Sequence, residues 1–312
     1  FKEVKTFLQY LALYRAIRPN AVNHFTIKPV LYGSISAMIL NIKSINTITG
    51  LGTAFLAGNV LRLITTRLLK VALYKSHAVF FQNANDRSLF LRSGIISSSR
   101  AILVPGSGIN LNYYSLNNYS NASLGLFLLP ARMLWDKGIG EFVEAARIVK
   151  TRGLEARFRL VGPTGVSNRT SIPVETISMW TREGVVEYQG MVDDIRPTLA
   201  SASCVVLPSY REGMSRILLE ACAVGRPIIT TDVPGCRDIV TDGLNGFLCK
   251  PRDSLALANV FERFLLLPLS EKKNMAAASR SISEQFFDEN AVNKLYLAQI
   301  RSLVETTPYP LP

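Results

Sequence analysis

The chain has 312 residues, enough for two domains of ordinary size, and its 48% hydrophobic content excludes a largely disordered protein. No apolar run reaches the ~18 residues a membrane span needs, and the four cysteines (204, 222, 236, 249) form no Cys-x-x-Cys pair, so reduced cytosolic thiols are expected. The first 135 residues carry fourteen Lys and Arg against two acids, Glu3 and Asp86; they hold the whole net charge of +12, which points to an anionic partner for that half alone.

Along the chain, short β-branched runs alternate with stretches of helical period. The first half offers strands at "AVNHF" (21–25), "INTIT" (45–49), "AVFFQN" (78–83) and "AILVPGS" (101–107). Residues 57–76 read as an amphipathic helix with Arg62, Arg67, Lys70 and Lys75 and no acid. The polar run "NLNYYSLNNYSNAS" (110–123) reads as a linker. Beyond it come strands at "LGLFLLPAR", "RFRLVG", "VEYQG", "CVVLPS" and "PIITTDV", with helices at 140–150 and 256–266 and a last one near 289–306. This alternation implies parallel sheets, and there are strands enough for two. The expected architecture is α/β, with two Rossmann-like doubly wound domains facing across a cleft. The domains would span 1–121 and 122–286, and residues 287–312 would form a helix packing back toward the first.

In such folds ligands lie beyond the carboxyl ends of the strands. "CVVLPS" is followed by the loop "YREGM" and the helix "SRILLEACAV", so Glu212 and Gly213 fall on the loop and Glu220 on the helix. Glycine lets a ligand approach the backbone, and the amides of a helix start favour a diphosphate. Glu220 stands about five residues into the helix, roughly 7.5 Å along it, within reach of a ribose on the same nucleotide. Glu212 would face the group beyond the phosphates. Arg132 and Lys137, after the strand "LGLFLLPAR", would neutralise the diphosphate. Taken singly, each residue has a plainer reading: a solvated loop acid, a helix acid paired with an Arg, a pair of solvated cations. The spacing combined with the glycine loop favours a sugar nucleotide.

"EGMSRILLEA" resembles the E-x7-E motif of the family-4 retaining glycosyltransferases of GT-B fold, and "ARMLWDKGI" resembles their Arg/Lys diphosphate clamp. "GRPIITTDVPGCRDIVTDGLNGFLCKPRD" resembles the segment that follows that motif, and the likeness runs from about residue 19 to 255. "HFTIKP", "TITGLG", "VFFQN" and "VPGSGIN" are similar to the subgroup that extends undecaprenyl-diphosphate-linked sugars, which includes N-acetylgalactosaminyltransferases. The resemblance implies that Glu220 binds the ribose and Glu212 the donor sugar. It puts the amides of Gly213, Met214 and Ser215, with Arg132 and Lys137, on the diphosphate. It also places His24 beside the reacting sugar and Met191 and Val192 near the base. Ser215 stands where many members have glycine. The family's first strand, with its glycine-rich acceptor loop, is not visible, and the chain starts without Met, so that strand is expected to be missing.

Retention by double displacement needs a carboxylate nucleophile, and Glu3 and Asp86 are the first half's only acids. A front-face mechanism is easier to assemble, with the leaving diphosphate stabilised by Arg132, Lys137 and helix amides. No metal and no cofactor are expected, because there is no DxD and no His/Cys cluster. The expected partners are a UDP-sugar, a polyprenyl-diphosphate-linked sugar acceptor and an anionic membrane surface under the basic half, with no nucleic acid. The location implied is the inner face of the cytoplasmic membrane, in bacterial polysaccharide or glycan assembly. A catalytically impaired sugar-nucleotide-binding relative is the alternative. A dinucleotide oxidoreductase is less favoured: "GLGTAF" (50–55) has Phe55 at the third glycine position and no acid follows before Asp86.

Overall fold

The computed structural model describes residues 2–51, 59–119 and 122–305. They form two compact units, residues 1–107 with 290–312, and residues 108–289.

The first unit is built on a four-stranded parallel sheet in sequential order: β1 (Ala21–Phe25), β2 (Lys43–Ile48), β3 (Ala78–Phe81) and β4 (Ala101–Leu103). Helices α1 (Lys2–Ile17), α2 (Ile27–Ile39), α3 (Asn59–Ala72) and α4 (Ala84–Arg92) precede or join the strands. Strand β3 shows why its sequence is apolar at every position. Val79 and Phe81 pack with Ile48, Leu69, Leu73 and Phe90, while Phe80 points to the opposite face, into a group with Ile45 and Val104. A strand covered on both faces favours apolar side chains at successive positions. The second face is closed by α11 (Glu289–Glu305), whose Val292 and Leu303 join Phe80 and whose Tyr296 stacks on that ring at 4.0 Å. Most of the fingerprint-like "GLGTAF" lies outside the described residues.

The second unit carries a six-stranded parallel sheet of order β10-β9-β8-β5-β6-β7. Its strands are β5 (Ser123–Pro130), β6 (Arg157–Val161), β7 (Glu187–Tyr188), β8 (Ala202–Leu207), β9 (Ile228–Thr231) and β10 (Gly246–Cys249). The connecting helices are α5 (Ile139–Thr151), α6 (Val174–Arg182), α7 (Arg196–Ser201), α8 (Arg216–Ala223), α9 (Ser254–Leu266) and α10 (Leu269–Phe286). The chain winds outward from β5 through β6 to β7 and then returns to place β8 on the other flank of β5. The order therefore reverses between β5 and β8, and such a switch point opens a crevice at the strand ends. Phe127, Phe142, Phe158, Phe261 and Phe264 fill one side of the sheet; Leu128, Val205, Leu207, Leu218, Leu219 and Ile228 fill the other.

Two features differ from the sequence reading. Strand β10 had no counterpart in it: the strand is four residues long and opens on Gly246, where a Cβ would collide with the Ile228 carbonyl. The polar run at 110–123 is not a free linker, for Tyr114 and Tyr119 are buried in the second unit. The Tyr119 hydroxyl donates to the Ser203 carbonyl at 2.9 Å, and Arg226, fully buried, donates to the carbonyls of Asn117 and Ala200 at 3.1 and 2.5 Å. Tyrosine supplies apolar area under a polar tip, so a run that counts as polar can still be packed.

Candidate active site

The carboxyl ends of β5 and β8 carry most of the residues singled out in the sequence. After β5 the chain passes Arg132 and enters a 3-10 turn, Trp135–Lys137. Gly138 ends that turn in the left-handed region at φ 72°, where a Cβ would collide with the Pro208 carbonyl after β8. Only glycine allows the two loops to touch. The contact is then fixed by hydrogen bonds: the Tyr210 amide donates to the Asp136 carbonyl at 3.0 Å, and Thr231, at the end of β9, donates its hydroxyl to the Ser209 carbonyl.

On this framework Lys137 Nζ meets Glu212 Oε1 at 2.5 Å, and the Ser209 hydroxyl donates to the same oxygen at 2.7 Å. Both side chains are mostly buried, at 21 and 15% exposure. The sequence reading gave Lys137 to a diphosphate and Glu212 to a sugar; the structure joins them in one ion pair. The reason is electrostatic, since two opposite charges half-withdrawn from water on adjoining strand ends stabilise each other. Arg132 is exposed and makes no ion pair among the described residues.

Helix α8 starts at the end of the Glu212 loop. Its N-cap, Ser215, makes no side-chain capping hydrogen bond, which leaves the first-turn amides without that partner. The Ser215 amide itself donates to the Gly235 carbonyl at 3.0 Å, so it is engaged within the protein. Glu220, a buried carboxylate on the same helix, does have partners: Oε1 accepts from the Tyr114 hydroxyl at 2.8 Å and from Arg216 Nε at 3.0 Å. Burial and the Glu220 carboxylate push the Tyr114 phenol up to about 12, so it remains a donor. Arg216 stands one helical turn before Glu220, an i,i+4 pairing that sequence alone can suggest. Tyr114 comes from the mostly exposed run before β5, and nothing local announces it.

Met191 and Val192 follow β7, beyond Gly190. Met191 is exposed, whereas Val192 packs against the apolar group that contains Leu207 and Leu218.

His24 lies in the first unit, near the end of β1, and is buried. Its Nε2 is 2.6 Å from the Tyr14 hydroxyl and its Nδ1 is 2.8 Å from Asn46 Oδ1. Ser34 donates to the same Asn46 oxygen at 2.8 Å, and Asn46 Nδ2 donates to Ser76 at 2.7 Å. Desolvation holds the imidazole pKa below its ordinary value, so the ring is neutral near pH 7. A Cβ on Gly33 would collide with the ring, so that glycine lets α2 close over it.

Comparison with known proteins places the chain in a family. Residues 125–266 match the family model described as "Glycosyl transferases group 1", and residues 1–83 match "Glycosyl transferase 4-like". The N,N'-diacetylbacillosaminyl-diphospho-undecaprenol alpha-1,3-N-acetylgalactosaminyltransferase of Campylobacter jejuni is 28% identical over 267 residues, covering 80% of this chain and 68% of its own. The capsular polysaccharide biosynthesis glycosyltransferase CapM of Staphylococcus aureus is 25% identical over 277 residues, covering 85% and 72%. The crystal structure of Anabaena HepE in complex with UDP superposes with a TM-score of 0.79 at 18% identity, covering 95% of this chain and 82% of that one. The family signal is carried by sequence and the fold by superposition, and they agree. The chain belongs to the glycosyltransferases of the group 1 and 4-like type, and its two parallel-sheet α/β units are those of the GT-B fold.

Proposed function

We propose that this glycosyltransferase takes a sugar from a UDP-linked donor, with retention of anomeric configuration, and passes it to a lipid-linked or glycan acceptor in bacterial polysaccharide assembly. The observation that carries the donor side is the arrangement at the β5/β8 switch point. A basic loop, an acidic loop and a helix start without a side-chain cap are held together there by Gly138. In this reading the diphosphate lies at the start of α8 and draws Lys137 and the exposed Arg132 toward it. The ribose hydroxyls donate to Glu220, whose other donors both fall on Oε1. Glu212, released from Lys137, accepts from hydroxyls of the donor sugar. Met191 and Val192 border the base. His24 exchanges Tyr14 for a hydroxyl of the reacting sugar.

The retaining step follows from what the acids do. Asp86 is fully buried and held by Asn83, and Glu3 is held by Lys28 and Tyr32. Neither is at a strand end, which supports a front-face route over a covalent intermediate. The bond from the anomeric carbon to UDP breaks, the acceptor oxygen bonds to the same face of that carbon, and the acceptor proton passes to the leaving diphosphate. The names of the curated relatives support the acceptor class. The test is a titration of UDP, GDP and ADP, followed by incubation with a panel of UDP-sugars and a synthetic polyprenyl-diphosphate-linked acceptor, with NMR of the new linkage. UDP-selective binding and an α-product from an α-donor are expected. Binding of UDP without turnover on any acceptor would leave the impaired relative as the correct reading.

A further inference from the structure

Helix α3 presents an unusual solvent face. Thr65, Leu69 and Ala72 turn inward, and Leu69 joins the core of the first sheet. The opposite side still carries Leu63, Ile64, Leu68 and Val71, each 43 to 52% exposed. At 100° per residue these four fall on one arc, spaced at i, i+3 and i+4, so they form a stripe and are not scattered. Arg67, Lys70 and Lys75, all exposed, lie within or beside the stripe, and the exposed Tyr74 extends it past the helix end. Arg100 fastens that end by donating to the carbonyls of Tyr74 and Ser76 at 2.8 and 3.1 Å. Residues 57–76 contain no acid, and within 1–107 one acid is buried while the other is held by Lys28. The side chain of Arg62, part of the expected cationic set, lies outside the described residues.

An exposed apolar stripe interleaved with cations and lacking any acid fits one kind of surface. A protein partner of ordinary composition would meet three cations without counter-charges. Water alone leaves four large apolar side chains uncovered. A bilayer with anionic head groups satisfies both, since the apolar side chains enter the acyl boundary and the cations stay among the phosphates. We infer that the outer face of α3 docks this enzyme on an anionic lipid surface. The inference rests on the charge and burial of this helix and holds whether or not the acceptor is lipid-linked.

The test is co-sedimentation of the full chain with vesicles of phosphatidylcholine alone and of phosphatidylcholine mixed with phosphatidylglycerol. Binding is expected only to the anionic vesicles and should fall steeply with salt. Replacing Arg67, Lys70 and Lys75 with Gln should lower partitioning on the order of a hundredfold, at about fivefold per charge. Replacing Leu63, Ile64, Leu68 and Val71 with Gln should also weaken it, while UDP affinity and melting temperature stay unchanged. Equal binding to both vesicle types, or wild-type binding by the apolar variant, overturns the proposal. So does a dimer that becomes monomeric in the apolar variant while vesicle binding persists, because the stripe would then be an interface between copies.

Discussion

Two polar centres stand at carboxyl ends of parallel strands in this chain, and they are built in opposite ways. Around His24 every described partner is neutral, both ring nitrogens are engaged, and Gly33 lets a helix close over the ring. At the ends of β5 and β8 the partners are charged, the Lys137–Glu212 pair keeps some exposure, and Arg132 is open to solvent. The difference is one of exchangeability. A neutral network in low dielectric is costly to disturb because any vacated partner is left unsatisfied. The Lys137–Glu212 pair is mostly buried yet keeps a path to water, so it can be exchanged where an incoming phosphate and hydroxyl replace each lost partner. Under the proposed function, the β5/β8 end is the one poised to bind, whereas the His24 network must open before the ring can touch a sugar.

The largest effect that would test this contrast is on turnover. Lys137→Ala and Arg132→Ala should each weaken UDP binding by about 1.5–3 kcal/mol and lower kcat further, since charge builds on the leaving diphosphate. Titration calorimetry and steady-state kinetics read both, and unchanged values in both variants would remove the clamp. Next in size, His24→Ala should cost about 2–4 kcal/mol of stability by orphaning Asn46 and Tyr14. If the variant melts like the wild type while losing activity, the His24 centre exchanges partners as readily as the charged one. A middling effect separates the acids: Glu220→Ala should lose UDP affinity roughly tenfold, whereas Glu212→Ala should keep UDP and lose turnover of the UDP-sugar. Equal losses of UDP affinity would show the assignment of donor ends to be wrong. Tyr114→Phe removes one donor from Glu220 and should weaken UDP binding by about fivefold with a small change in melting temperature.

The smallest effect concerns pH. His24 has a folded pKa below its ordinary value because of burial, and His77 does also. The unfolded chain thus binds more protons between the depressed pKa and the ordinary one near 6.5, so stability is full above that ordinary value and falls as pH drops below it. Denaturant unfolding at pH 7 and pH 5 should show the loss, and His24→Asn should reduce it, leaving the share of His77.

The contrast also explains what could be read in advance. Among the described residues, nine of the ten strands were legible because β-branched and apolar runs mark them; β10 was not, since Gly-Phe-Leu-Cys is too short and its place depends on a glycine meeting Ile228. Arg132, Lys137, Glu212 and Glu220 stood out because charge in or beside an apolar run needs an explanation. Their actual partners were harder. Arg216 is visible as a helical neighbour of Glu220, but Tyr114 reaches it from 106 residues away, and composition labels that stretch polar. The pairing of Lys137 with Glu212 joins two loops that meet only because β8 returns beside β5, which is a property of strand order and not of local sequence.

The covering of Phe80 by Tyr296 has a consequence for biosynthesis. Residues 1–107 leave the ribosome before the rest of this chain, yet the face of their sheet that holds Ile45, Phe80 and Val104 is completed by Val292 and Leu303. The whole of Gly108–Glu289 is made in between, which at ~5–20 residues per second is on the order of ten to forty seconds. For that interval a nascent sheet holds an aromatic face open, a natural client surface for a chaperone. Truncation before Asn290 would make the exposure permanent and should yield an aggregating product.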